Sequence, residues 1–316
     1  MGRGASRTGP TNFKEPILSN VKEVAAGLPA VVSAWKHGIA NMGPLDSAMM
    51  LSRANQHSGF DCPGCAWPDP SEPTRFEYCE NGAKAIADEA TNKVIPDSFW
   101  QENSVLSLAR KSDAWLNGQG RLSRPLIMNK DSNHYEPIDW DRAFGVIATA
   151  LSNLGNPDDA YFYTSGRASN EAAFLWQLLA RQHGTNNLPD CSNMCHESSG
   201  IALTESIGIG KGTVRLEDFN HSDLIVIVGQ NPGTNHPRML SALRSAKTSG
   251  SSILSINPIK ETGMRNFRYP QSPLDMLGSG VKIADDHVDI RINGDMALFR
   301  ALGSVMIENE WIDKSF

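Results

Sequence analysis

The sequence lacks any apolar run approaching the roughly 20 residues that span a bilayer. Its densest strand-like run, Leu224 to Val228, is far shorter, so no membrane insertion is expected. An excess of basic charge is also missing. Lys and Arg number 29 against 35 Asp and Glu, a net charge of −6, and phosphate neutralisation needs a basic surface, so no nucleic-acid partner is expected. The opening residues, MGRGASRTGP, have neither the apolar core of a secretory signal nor a twin arginine, which makes a cytoplasmic protein the expectation. Internal repeats and low-complexity tracts are absent. Cysteine is scarce: the five residues Cys62, Cys65, Cys79, Cys191 and Cys195 form two clusters. An odd number in a chain of this kind disfavours a disulfide framework and favours metal binding or thiol chemistry. What the chain does have is length and core material. Its 316 residues, 40% apolar and 20% charged, suit a globular protein of about two domains.

The hydrophobic pattern reads as α/β. Asp139 is placed to cap a helix bearing Trp140, Phe144, Ile147, Leu151 and Leu154 on one face, stopped by Gly155. A strand over Asp159 to Thr164 follows. The turn Ser165 to Ser169 then leads into a helix from Asn170 to His183, with Glu171 near its positive end and Gly184 beyond its last turn. Leu188 to Glu197 reads as loop and Ser198 to Ile207 as helix. The clearest βαβ unit comes next. Asp223 to Gly229 is a continuous apolar run, the pattern of a buried parallel strand. The turn Gln230 to His236 leads to a helix from Pro237 to about Lys247, with proline at its first position, and Ser252 to Asn257 is the returning strand. A further strand, His287 to Ile292, precedes Asn293-Gly294-Asp295 and an amphipathic helix carrying Leu298, Phe299, Leu302, Val305 and Met306. Upstream, residues 1–60 are weakly patterned, with Ala48 to Gln56 the only periodic piece. Residues 61–82 hold three cysteines among prolines and glycines, which predicts a loop.

Cys62-Pro-Gly-Cys65 lets two thiolates reach one metal or cluster, and zinc, iron–sulfur and dithiol redox chemistry all use that spacing. Dithiol enzymes start a helix at the first cysteine, which Pro68 and Pro70 oppose here. Zinc needs four ligands. An iron–sulfur cluster suits a loop wrapped on an inorganic core, with Cys79 as third ligand, and simple packing of the thiols is the plain alternative. Cys195-His196, just before an expected helix, reads as nucleophile and base, as metal ligand and proton acceptor, or as a buried pair; spacing alone favours burial. The turn Gly229 to His236 lies where backbone N–H groups hold pyrophosphate. It is not G-x-G-x-x-G, and a structural βα turn is its plain alternative.

Five segments occur in order: Cys62-Pro-Gly-Cys-Ala-Trp-Pro-Asp69, Cys79-Glu-Asn-Gly-Ala-Lys84, Ser165-Gly-Arg-Ala-Ser-Asn-Glu-Ala172, Asp190-Cys-Ser-Asn-Met-Cys-His-Glu197 and Gly229-Gln-Asn-Pro-Gly-Thr-Asn-His-Pro-Arg-Met239. Together they resemble the formate-dehydrogenase-alpha-subunit-like branch of the molybdopterin oxidoreductases, from about residue 60 onward. The resemblance implies molybdenum held by two molybdopterin guanine dinucleotides and one [4Fe–4S] cluster. It places Cys195 on molybdenum with His196 beside it for proton handling, and Cys62, Cys65 and Cys79 on the cluster. It marks Ser165, Gly166, Arg167, Asn231, Thr234, Asn257, Gly294 and Asp295 as cofactor contacts. The chain departs from the family at two points. Asp69 stands where the usual third cluster cysteine would be, which makes it an oxygen-ligand candidate, and Asn81 replaces the lysine between cluster and pterin.

The resemblance further implies an iron–sulfur loop segment followed by parallel-sheet α/β domains of the formate dehydrogenase and DMSO reductase type. The expected division is a leader at 1–58, a cluster segment at 59–120, part of a first α/β domain at 121–195 and a dinucleotide-binding α/β domain at 196–316. Family members are far longer, so an N-terminal fragment is the expectation. The implied activity is oxidation of a small substrate, formate first, with electrons leaving through the cluster to a redox partner or acceptor. A nicotinamide-dependent dehydrogenase, or a non-catalytic paralogue that binds cofactor or partner, are the alternatives.

Overall fold

Parallel pairing appears where the apolar runs predict it. The computed structural model describes residues 20–65, 67–129, 131–189 and 191–315, with backbone alone at 191–193. Strands Leu224–Val228, Ser252–Asn257 and Asp286–Asp289 form a parallel sheet with Ser252–Asn257 in the centre. Ile225 lies opposite Ile253, and Ile256 opposite Val288. The helix Pro237–Thr248 buries Leu240, Leu243 and Ala246. Leu240 and Leu243 pack with Ile227, Ile253, Met264, Phe267 and Ile283 into a closed core. Successive side chains on a strand face opposite ways, and only one side of Leu224–Val228 is covered. Ile227 is buried while Leu224 is 57% and Val226 41% exposed. The expectation of a strand buried on both faces is therefore corrected: its second face is open among the described residues. The last strand also ends earlier than expected, at Asp289, because Asn293 takes a left-handed φ of 65° and the Gly294 N–H closes a turn on the Arg291 carbonyl.

The chain separates into two compact units: Ser19–Ala87 with Val214–Phe316, and Asp88–Thr213. In the first, the described part of the expected leader, residues 20–58, is largely helical. Gly27–Met42 and Pro44–Arg53 are helices, the second started by proline in its first turn. They meet at small residues, where a Cβ on Gly38 would lie 3.0 Å from the Ser47 hydroxyl oxygen. Ala34, Leu51 and Ala54 then join Ala83 and Ile86 of the helix Glu80–Glu89 in a second core, with Cys62 and Tyr78 at its edge. The sequence reading missed Gly27–Met42 because its contact face is alanine and glycine rather than a large apolar stripe. Residues 1–19 lie outside the described part.

In the second unit, Ile95, Trp100 and Leu108 pack with Phe99, Trp115, Leu126 and Tyr135. The hairpin Leu126–Asn129 with His134–Pro137 supplies two of these residues. Beyond it, Asp139 caps Trp140–Ser152 by accepting the Arg142 N–H at 2.7 Å, and Ser169 caps Asn170–His183 by accepting that of Ala172 at 3.2 Å. Both helices match expectation. The strand predicted over Asp159 to Thr164 does not form. Pro157–Asp159 is a 3-10 turn, and the Asn187 side chain binds the carbonyls of Asp158 and Ala160. A side chain thus satisfies backbone that a neighbouring strand would otherwise pair.

Candidate functional site

The loop carrying the first cysteines is held by side chains, as its proline content requires. Asn55, buried and at a left-handed φ of 55°, accepts the Cys62 N–H at 2.8 Å and donates to the Glu77 carbonyl at 2.6 Å. Asparagine tolerates that conformation better than most residues. It pins both ends of the loop between the cysteines. Cys62, Cys65 and Cys79 line one cavity of about 200 Å³ with Asn55, Gly64, Asn81, Gly82, Thr234, Asn235, Pro237 and Arg238. The Gly64 N–H donates to Cys62 Sγ and the Gly82 N–H to Cys79 Sγ, each at 3.3 Å. Backbone donors to sulfur favour thiolate and tune a cluster's potential.

The glycines are part of the cradle. A Cβ on Gly82 would sit 2.8 Å from Cys62 Sγ, and one on Gly64 3.3 Å from the same atom. Burial pushes the Cys79 thiol pKa up; the Gly82 N–H opposes that, and the neighbouring Cys62 and Cys65 reinforce it. A cation or cluster that displaces the thiol protons relieves this strain. Among the described residues no group of three or more His, Cys, Asp or Glu gathers on a single ion position. Three soft donors around a hollow, with N–H groups on the sulfurs, fit an iron–sulfur core.

A second, larger cavity of about 790 Å³ opens beside the carboxyl ends of Leu224–Val228 and Ser252–Asn257. Asn231, Gly233, Thr234, Glu261, Gly263 and Arg268 are among its walls. Ligands of parallel α/β sheets bind at this end. The Asn231 side chain donates to Glu261 at 2.8 Å, and Asn257 donates to the Ile259 carbonyl at 3.1 Å. The two loops approach through glycines: a Cβ on Gly263 would be 3.1 Å from the Gly233 Cα. Arg268 Nε is buried with no hydrogen-bond partner among the described residues. A close-packed glycine pair and an unsatisfied Arg268 Nε fit the pyrophosphate part of a dinucleotide. The structure thus brings together Asn231, Thr234 and the neighbouring Asn257. Gly294 and Asp295 begin the helix Asp295–Glu308 and do not line this cavity. The two cavities share Thr234, and Asn81 donates to its carbonyl at 2.8 Å.

In the other unit, Ser165, Gly166 and Arg167 form an exposed turn, with the Arg167 N–H donating to Ser165 Oγ at 3.3 Å. Cys195 and His196 lie within the helix Cys191–Ile207, not ahead of it. The free N–H groups of a helix belong to its first turn, so the expectation of Cys195 at the helix N-terminus is corrected. Both residues are exposed, which also corrects the buried reading. Asp190 lies outside the described residues, as do the side chains of 191–193.

Sequence reasoning missed Asn55 altogether and gave Arg238 no role. Arg238 sits in the first turn of Pro237–Thr248, where the helix dipole disfavours a cation. That misplaced charge was the available signal. It is 9% exposed and bonded to Asp69 at 2.8 Å and Glu77 at 3.2 Å, with the Trp67 carbonyl at 3.4 Å.

Residues similar to these occur in known proteins. An uncharacterized oxidoreductase of Mycobacterium tuberculosis is 53% identical over 302 residues. The protein YdeP of Escherichia coli is 46% identical over 294 residues; each match takes in 93% of this chain and 39% of the relative. Formate dehydrogenase H of Escherichia coli is 30% identical over 202 residues, 62% of this chain and 26% of that protein. The chain therefore spans about two fifths of the length of these two curated relatives. Among the described residues, no helix is long and apolar enough to cross a membrane. Residues 121–315 match the molybdopterin oxidoreductase family over more than half of the chain, and the chain belongs to that family.

Proposed function

We propose that this chain is part of a cytoplasmic, molybdenum-dependent, formate-dehydrogenase-like oxidoreductase. The observation that carries the reading is the three-thiol cavity, hydrogen-bonded at sulfur and adjoining the cavity at the strand ends. A molybdenum held by two molybdopterin guanine dinucleotides, with a [4Fe–4S] cluster, would supply two-electron chemistry on a small substrate and one-electron transfer onward to a redox partner. The chain's own residues bind and position these groups. Cys62, Cys65 and Cys79 hold the cluster. Asn231, Thr234, Asn257 and Arg268 receive one dinucleotide, while Ser165, Gly166, Arg167, Gly294 and Asp295 are further cofactor contacts. Cys195 supplies the sulfur for molybdenum, and His196, beside it, accepts the proton the substrate gives up. Formate is the first substrate to try, because of the Cys195–His196 pair and the likeness to formate dehydrogenase H.

The test is metal analysis of the intact protein, purified anaerobically from a host that makes the cofactor, beside a Cys195→Ser variant. Molybdenum and iron in the wild type, with turnover lost in the variant, support the reading. Absence of molybdenum overturns it, and tight nicotinamide binding in its place favours an ordinary dehydrogenase. Metal without turnover on any small substrate indicates a non-catalytic relative.

A further inference from the structure

Asp69 is the residue that could complete a four-ligand set, since it follows Cys65 closely in a loop where a fourth donor is missing. Its carboxylate is already engaged. Arg238 Nη2 binds it at 2.8 Å and binds Glu77 at 3.2 Å. Arg238 is 9% exposed, Glu77 12% and Asp69 36%, so the clamp is removed from water on its Arg238–Glu77 side. Arg238 lines the three-cysteine cavity and Asp69 does not. Among the described residues the other walls offer asparagine, threonine, glycine and proline, but no imidazole or carboxylate. Asn55 and Asn81 have their side-chain amides committed to the carbonyls of Glu77 and Thr234. A [4Fe–4S] core has four irons to ligate and is ordinarily held by four thiolates.

We propose that Arg238 withdraws Asp69 from the ligand set, so that this chain holds its cluster by Cys62, Cys65 and Cys79 alone and leaves one iron open to a small external ligand. Arg238 is in this view a positioning residue. It ties the loop between the cysteines to the helix Pro237–Thr248 and places a cation, not a donor, at the cavity wall.

The inference rests on the iron–sulfur reading, and the experiment separates the two. Iron, acid-labile sulfide and low-temperature electron paramagnetic resonance are measured on the intact, anaerobically purified protein and on Asp69→Asn, Arg238→Gln and Cys79→Ser. Four irons per chain are expected in the wild type, unchanged in number and spectrum in Asp69→Asn, with a changed spectrum in Arg238→Gln as the freed carboxylate reaches the cluster and a several-fold loss in Cys79→Ser; a wild-type spectrum in Arg238→Gln overturns the role given to Arg238. Cyanide added to the reduced wild type should shift the spectrum, an arm that needs no variant to fold. A wild type without iron removes the iron–sulfur reading and this inference together. Iron lost in Asp69→Asn as in Cys79→Ser, iron retained in Cys79→Ser, a three-iron cluster, or a spectrum indifferent to cyanide each overturns this inference and leaves cluster binding standing.

Discussion

The two places where cysteine chemistry is expected differ in how far the chain itself has built them. Around Cys62, Cys65 and Cys79, backbone N–H groups are aimed at sulfur, glycines make room, and Asn55 and Arg238 fasten the loop from behind. Around Cys195 and His196, the helix is exposed along most of its described length, Met194, Ile201 and Ile207 included. Two other helices of the same unit repeat that character: Phe144 on Trp140–Ser152 and Phe174 on Asn170–His183 are each 59% exposed. Large apolar side chains left in water this way mark contact surfaces. The comparison separates a site whose geometry is local from one whose environment these residues do not supply.

The largest expected effect tests that separation directly. In the intact protein, Cys62→Ser should strip iron several-fold, whereas Cys195→Ser should abolish turnover and leave iron untouched. Metal content and rate together measure it, and a joint loss of iron in both variants would break the distinction. Gly82→Ala comes next. Its Cβ would meet Cys62 Sγ at 2.8 Å, and forced overpacking costs about 1–3 kcal/mol. Partial iron loss is expected, with Gly64→Ala milder because its approach is 3.3 Å. If both alanine variants load iron fully, the cradle is not as tight as drawn. Arg238→Gln should lower the apparent unfolding temperature more than Asp69→Asn. It leaves Glu77, 12% exposed, without its cation, and stranding a buried charge costs about 3–5 kcal/mol. Thermal scans of both variants and of the double variant decide it, because coupled partners are not additive.

What could be read in the sequence followed the range of the interactions. Ser252–Asn257 and Asn170–His183 emerged with their observed limits, since apolar period and end signals are local. The cysteine spacing was equally visible. The Asp159 to Thr164 strand failed because the competing partner, Asn187, lies beyond a helix. Gly27–Met42 escaped notice because alanine and glycine make its contacts. Asn55 and Arg238 were invisible as site residues for a stronger reason. Arg238 meets Glu77 across 161 positions, and nothing near either residue announces the other. A cation in a helix's first turn was the one local clue.

The smallest effect gives the baseline for the others. Asp285 fastens the sheet and does not line the three-cysteine cavity: its carboxylate accepts a hydrogen bond from Lys247 and one from the Ile253 N–H, the latter at 2.9 Å. The hydrogen bond from Lys247 holds its carboxyl below the usual aspartate range; partial burial opposes the shift, and the Ile253 N–H and the charges of Lys247 and Lys282 add to it. A carboxylate whose folded pKa is depressed stabilises the fold above its unfolded pKa, and that contribution fades as pH falls through the folded value. Asp285→Asn should therefore lower the unfolding temperature slightly at neutral pH, by the equivalent of about 1 kcal/mol or less for so exposed a pair. The difference from wild type should shrink as the solution is acidified below the aspartate range. Iron and turnover should not change. Thermal scans across acid pH check the first part and metal analysis the second; an iron loss in Asp285→Asn would show that the cluster cavity depends on the whole sheet rather than on its own loop.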